Sequence, residues 1–230
     1  MKLEDITKRA EPKRRYDDAC AATHGMDIIG ERWALPVMRE LMLGPRRFGE
    51  LRRSLPALSA NVLTQRLAGL EAAGIVRKAK LPPPASVQVY ALTPWGQEAG
   101  PVFQALGRWA ARSPLHDPTR PFSPVSLMLS MRTMIDSRAA AGMTLRLGVE
   151  VGEEAFGFTI IDGVVGIGRG LPASPHAILR GETGAVAALL YAGVPLLALE
   201  ADGALAVTGD RALAERLPVL FPMPEKAALG

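Results

Sequence analysis

Four prolines in RSPLHDPTRPFSP, residues 112–124, constrain this 230-residue chain more than any other feature. Proline lacks an amide hydrogen and disfavours helix at the residue before it, so helices stop at such a stretch. The hydrophobic period also differs on its two sides, mostly helical before it and mostly alternating after it. The spacing therefore divides the chain near residue 115 into units 1–115 and 116–230.

The first unit reads as helices followed by a hairpin. ACAATHGMDIIG is one helix and ERWALPVMRELMLG a second, with Trp33, Val37 and Leu41 at helical spacing. Pro36 fits that second helix only in its first turn. RFGELRRSL is a short helix, and SANVLTQRLAGLEAAG a longer one, with Ser59 as N-cap and Gly74 as the stop. IVRKAKL and SVQVYALT are extended runs joined by PPPAS. Thr93 then caps one long final helix, PWGQEAGPVFQALGRWAARS. This order is that of a winged helix-turn-helix.

The helix after Ser59 has two faces. Ala60, Leu63, Leu67 and Leu70 form an apolar stripe, while Asn61, Thr64, Gln65 and Ala68 lie opposite. Asn and Gln match the edge of adenine bidentately, and Thr reaches a base or the thymine methyl. Arg46, Arg47, Arg52, Arg53, Arg66, Arg77, Lys78 and Lys80 surround this helix and the hairpin, and suit phosphates. An amphipathic helix with a polar outer face is also the commonest helix of any folded domain. Double-stranded DNA is the expected partner, because the helix order and the basic charge accompany that face.

Residues 1–112 hold 18 Lys and Arg against 11 Asp and Glu, and the remainder holds 9 against 12. Affinity for a polyanion thus belongs to the first unit. One cysteine excludes an internal disulfide and a cysteine-rich zinc site. GIGRG lacks the GxGxxG spacing, no GxSxG or HExxH occurs, and His116 and His176 stand without partners. No catalytic residue, metal site or cofactor is expected, and the chain is not read as an enzyme. The N-terminus shows no signal-peptide core. AVAALLYAGVPLLAL, residues 185–199, falls short of the ~20 residues a membrane helix needs. A cytoplasmic protein without a membrane partner is expected.

The second unit reads as α+β. SPVSLMLSMRTMIDSRAAAG is a Met-rich helix; MTLRLGVEVG and EAFGFTIID alternate as strands; Asp162-Gly163 marks a hairpin before VVGIGR. PHAILRG is a further strand, GETGAVAALLYAG a helix, ALEADGALAVTG a strand region, and DRALAERLPVLF a helix capped by Asp210. The fold class expected is α+β overall: an N-terminal winged helix-turn-helix, then a smaller domain with a mostly antiparallel sheet covered by helices.

GERWALPVMREL, RRFGELRRSLPALSANVLTQRLAGLEAAGIVRK and VYALTPWGQEAGPVFQALGRWA give residues 16–112 a resemblance to the HxlR branch of the MarR-like winged-helix transcription regulators. The resemblance implies a homodimer paired through the first and last helices of the unit, near Trp109. Its two recognition helices would enter successive major grooves of a pseudo-palindromic operator, roughly 34 Å apart. Pro36 departs from the aliphatic residue expected there. Some members sense oxidants or electrophiles through an N-terminal cysteine, which makes Cys20 a candidate redox sensor. His24, one helical turn on, would favour its thiolate. Packing as a small residue at the dimer interface is the competing role.

AILRGETGAVAALLYAGVPLLALEADGALAVTGDRALAERLPVLF, with DGVVGIGRG upstream, resembles the end of a sterol carrier protein type-2-like domain over about 124–222. Such domains hold apolar molecules between sheet and helices. The resemblance implies a pocket for an apolar small-molecule effector lined by Met128, Met131, Ile135, Phe156, Phe158, Leu189, Leu190 and Leu197. The same residues serve equally as an ordinary core. A lipid carrier whose basic half meets a protein or an anionic surface is the alternative to an operator-binding regulator.

Overall fold

The structure, a computed structural model, describes residues 16–228. In chain order the elements are α1 (Ala21–Ile29), α2 (Ala34–Leu41), α3 (Phe48–Ser54), α4 (Ala60–Ala72), β1 (Val76–Lys80), β2 (Gln88–Leu92), α5 (Pro94–Glu98) and α6 (Gly100–Ala111). They continue with α7 (Pro124–Met134), β3 (Leu145–Val151), β4 (Glu154–Ile161), β5 (Val164–Arg169), β6 (Ala177–Gly181), α8 (Thr183–Ala192), α9 (Leu196–Ala201), β7 (Leu205–Gly209) and α10 (Arg211–Arg216). A 3-10 turn, Leu217–Leu220, follows. The fold is α+β: a winged helix-turn-helix, then a sheet-containing region with helices on one face.

Pro36 lies in the first turn of α2, the one place its missing amide costs little. Trp33 caps that helix with φ 79°. The long helix expected after Thr93 is a pair instead. Pro101 has no N–H to give the carbonyl of Gln97, and its ring crowds that carbonyl, so α5 ends and α6 restarts around Ala99. The strand expected from ALEADGALAVTG is likewise split, because its first part forms α9 and only Leu205–Gly209 is extended. The Met-rich helix ends at Met134, short of the span expected.

The wing is the antiparallel pair β1–β2, with Lys78 opposite Tyr90. The larger sheet runs β5-β4-β3-β6-β7. Every neighbouring pair is antiparallel except β3–β6. Asp162 and Gly163 both have positive φ, the geometry a two-residue hairpin asks of this dipeptide.

The chain from β5 to β6 has to cross β4 and β3, and glycine makes that passage. Gly148 pairs with Gly157 in register on the face away from the helices. A Cβ on Gly148 would lie 2.8 Å from Leu171, and one on Gly157 would lie 3.3 Å from Pro172. The crossing segment rests directly on bare backbone.

The opposite face carries the core. Leu147, Val149, Phe156, Phe158 and Leu179 are buried there beneath α7, α8 and α10. Phe158 and Phe221 meet edge to face, their centroids 5.6 Å apart. α7 also packs against α2 and α6, so its buried methionines join the core of the sheet to that of the helices. Among the described residues no helix is long and apolar enough to cross a membrane.

Candidate nucleic-acid interface

Why α4 presents its polar face follows from its neighbours. Ser59 accepts from the Val62 amide at 3.3 Å, fixing the first turn. Leu63, Leu67 and Leu70 are buried with Leu51, Leu55 and Leu58 of α3 and the turn after it. That anchoring leaves Asn61, Thr64, Gln65 and Ala68 exposed on the outer side. Thr64 donates to the carbonyl of Ala60 at 2.9 Å, which leaves its oxygen free to accept. Asn61 and Gln65 make no side-chain hydrogen bond among the described residues.

The basic residues sort into free and committed groups. Arg47, Arg52, Arg53, Arg77 and Lys80 are exposed, with no ion pair among the described residues. Lys78 pairs with Glu71 at 2.7 Å, and the bond and charge of that carboxylate raise the ammonium above its ordinary range. Arg66 pairs with Glu31 at 2.7 Å and is mostly covered. Both pairs reach solvent, where exchanging a carboxylate for a phosphate costs little. Arg46 corrects the expectation. It is 7% exposed, and its guanidinium is held by Glu154 at 2.8 Å, so it is a buried strut and not a phosphate contact.

A second surface lies on the helices flanking this unit. α1 contains no buried residue. On α6, Val102, Leu106 and Trp109 recur at helical spacing and stay exposed, Trp109 by 73%. The other side of α6 faces α7: Gly107 lies against the Thr133 methyl, and Arg108 donates to the Thr133 carbonyl. One side of α6 is thus occupied and the other is apolar and bare.

Cys20 is exposed at the N-cap of α1. The backbone N–H of Thr23, then that of Ala22, then the Thr23 hydroxyl, hold its thiol below the ordinary range. His24 is not a cause of this shift; its ring lies 3.9 Å from Asp27. The helix N-terminus, and not the expected histidine, favours the thiolate.

Of the residues read as an apolar pocket, Met128, Met131, Ile135, Phe156, Phe158, Leu189 and Leu190 are buried together in the core. Leu197 corrects the expectation: it is 70% exposed on α9 and lines nothing internal. The described residues contain no cluster of three or more His, Cys, Asp or Glu able to hold a metal.

Comparison with known proteins places the first part of the chain. A family model described as HxlR-like helix-turn-helix matches residues 28–116. The HTH-type transcriptional regulator sll1512 of Synechocystis is 36% identical over 97 residues, which are 42% of this chain and 72% of that protein. YodB, an HTH-type transcriptional regulator of Bacillus subtilis, is 36% identical over 83 residues, 36% of this chain and 74% of YodB. Among solved structures, the reduced form of YodB matches with 32% identity and a TM-score of 0.39, covering 43% of this chain and 98% of that one.

Proposed function

The chain belongs to the HxlR-like helix-turn-helix family of transcription regulators, and from that premise we propose that it binds a pseudo-palindromic operator as a homodimer. Asn61, Thr64 and Gln65 read bases in the major groove. Arg47, Arg66, Lys78 and Lys80, with Arg52, Arg53 and Arg77 beside them, hold the phosphates. The observation that carries this reading is the exposed Asn61–Thr64–Gln65 face, set opposite a buried leucine stripe, with Arg47, Arg52, Arg53 and Arg77 exposed nearby and without a carboxylate partner among the described residues.

The bare apolar side of α6, with α1, is the surface on which a second copy pairs. Val102, Leu106 and Trp109 supply an aromatic and two aliphatic anchors, the composition of an interface core. A two-fold axis there would set the recognition helices one helical turn apart on DNA. The regulator works beside the chromosome, in the cytoplasm, and has no enzymatic role.

We divide the chain functionally at residues 1–115 and 116–230. The second part is a sterol carrier protein type-2-like unit. The mutual burial of Met128, Met131, Phe156, Phe158, Leu189 and Leu190 supports a packing role for them, as does the exposure of Leu197. An apolar effector would have to open that core to enter it. Cys20 is the point at which an oxidant or electrophile acts, supported by its exposure and its lowered thiol.

Selection from random duplex DNA tests the main reading. A two-fold-related motif with half-sites one turn apart is expected, and enrichment of no motif refutes it. Native mass spectrometry of the purified protein tests the C-terminal unit, which is expected free of apolar ligand; a co-purifying lipid in stoichiometric amount refutes the packing role.

A further inference from the structure

The seam between the five-stranded sheet and the helix-turn-helix is pinned by charge at one corner. Glu154 opens β4 and accepts from Arg46 Nη2 at 2.9 Å through Oε1, with Oε2 at 2.8 Å from the same nitrogen. Arg169 closes β5 and donates through Nη1 to Oε2 of Glu154 at 2.5 Å. Its Nε donates to the carbonyl of Leu43 at 3.0 Å, and its guanidinium lies 5.3 Å from the Phe156 ring centroid. Burial alone would raise the Glu154 carboxyl, but the bonds from Arg46 and Arg169 outweigh it and hold the group below its ordinary range.

What Arg46 does with its backbone gives this corner its reach. It sits in the loop between α2 and α3, two residues after Gly44, which has φ 115°. Its amide donates to the carbonyl of Tyr90 at 2.9 Å, and the Tyr90 amide returns a bond of 2.8 Å. Tyr90 belongs to wing strand β2. One carboxylate of the sheet therefore holds the loop leading into α3 and, through the loop, the wing. A second pin lies on α2. Glu40, wholly buried, accepts from Arg39 at 2.9 Å and from Ser123, the N-cap of α7, at 2.6 Å.

We propose that Glu154 is a positioning residue for DNA recognition: through Arg46 it sets the loop before α3 and the wing strand, so the C-terminal sheet fixes the geometry that α4 and the wing bring to DNA. The link to DNA rests on the operator-binding reading above, whereas the positioning of loop and wing does not. Without the carboxylate, Arg46 is a buried charge lacking a counter-charge. Its guanidinium must then turn toward water, and the two backbone bonds to Tyr90 loosen with it. Glu154 touches no phosphate in this scheme, so its loss alters geometry and leaves the number of phosphate contacts unchanged.

Amide hydrogen exchange and DNA binding, measured on the full chain with Glu154→Gln and Arg169→Met, test this. Glu154→Gln is expected to speed exchange at the Arg46 and Tyr90 amides roughly tenfold and to leave strand β3 at its wild-type rate. Affinity for a selected duplex is expected to fall roughly tenfold, with an unchanged salt slope. Arg169→Met keeps the Arg46–Glu154 pair and gives the smaller effect on both readouts. Wild-type exchange at the two amides in Glu154→Gln overturns the proposal, as does equal acceleration of every amide. Faster local exchange with unchanged affinity overturns the recognition role alone. If the wild type selects no duplex, the operator reading fails and takes that role with it, while faster exchange at Arg46 and Tyr90 still upholds the joint.

Discussion

Replacing Phe158 by alanine asks directly whether the back half of the chain is a filled core or a lined tunnel. The ring is fully buried, pairs in register with Leu147 on one side and Ile167 on the other, and meets Phe221 edge to face at 5.6 Å. Truncating a buried phenylalanine costs about 3–5 kcal/mol, part of it for the cavity that the walls cannot close. Here the walls are hydrogen-bonded strands, which relax little, and an aromatic pair worth about 1 kcal/mol is lost as well. The expected loss is therefore about 4 kcal/mol. For a chain of this size that lowers the melting temperature by roughly 8–16 °C. The assay is urea and thermal unfolding of both proteins at one fixed concentration, since a dimer's stability depends on concentration. A ring lining an existing void would forfeit only its transfer free energy and leave no new cavity. A measured loss under about 2 kcal/mol would refute the filled-core reasoning.

Three further outcomes are expected. Trp109→Glu with Leu106→Glu places charges on the bare face of α6, and sedimentation should shift from dimer to folded monomer; an unchanged dimer would move the interface elsewhere. Cys20 should be alkylated by iodoacetamide with a half-maximal pH below that of an ordinary thiol, and unfolding in urea should return it to the ordinary value, because the helix N-terminus that lowers it is then gone. Glu154 has a folded pKa below its unfolded one, so its stabilising contribution is complete above the ordinary value of about 4.5 and disappears as pH falls through the folded value. The difference in melting temperature between wild type and Glu154→Gln should thus be constant near neutrality and close in acid; a difference that persists there would mean that charge is not what binds Arg46.

Local pattern carried much of this fold. The leucine stripe of α4, the Ser59 and Asp210 caps and the Asp162-Gly163 hairpin are each decided within a few residues, and each is found where the sequence puts it. What escaped depends on distant partners or on uniform composition. Arg46 looks like its neighbour Arg47, yet it is buried because a carboxylate 108 residues away claims it. Leu197 lies in a run apolar on all sides, where periodicity cannot separate an inward from an outward leucine. Gly148 and Gly157 look like weak points in strands until the chain is seen to cross over them. The break between α5 and α6 was legible in Pro101, whose effect on the preceding turn is local. The faces of α4 were readable, but nothing in a sequence reveals which of the surrounding cations are already paired.

Operator recognition by α4 is tested by a salt titration of binding to the selected duplex by wild type, Asn61→Ala with Gln65→Ala, and Arg47→Ala. Base readers and phosphate contacts separate cleanly there. The double variant should lose discrimination between selected and scrambled duplex while keeping the wild-type salt slope. Arg47→Ala should weaken both duplexes alike and reduce the slope by about one per chain. Weak, equal binding of wild type to every duplex, with both variants indistinguishable from it, would contradict base reading by α4 and phosphate contact by Arg47.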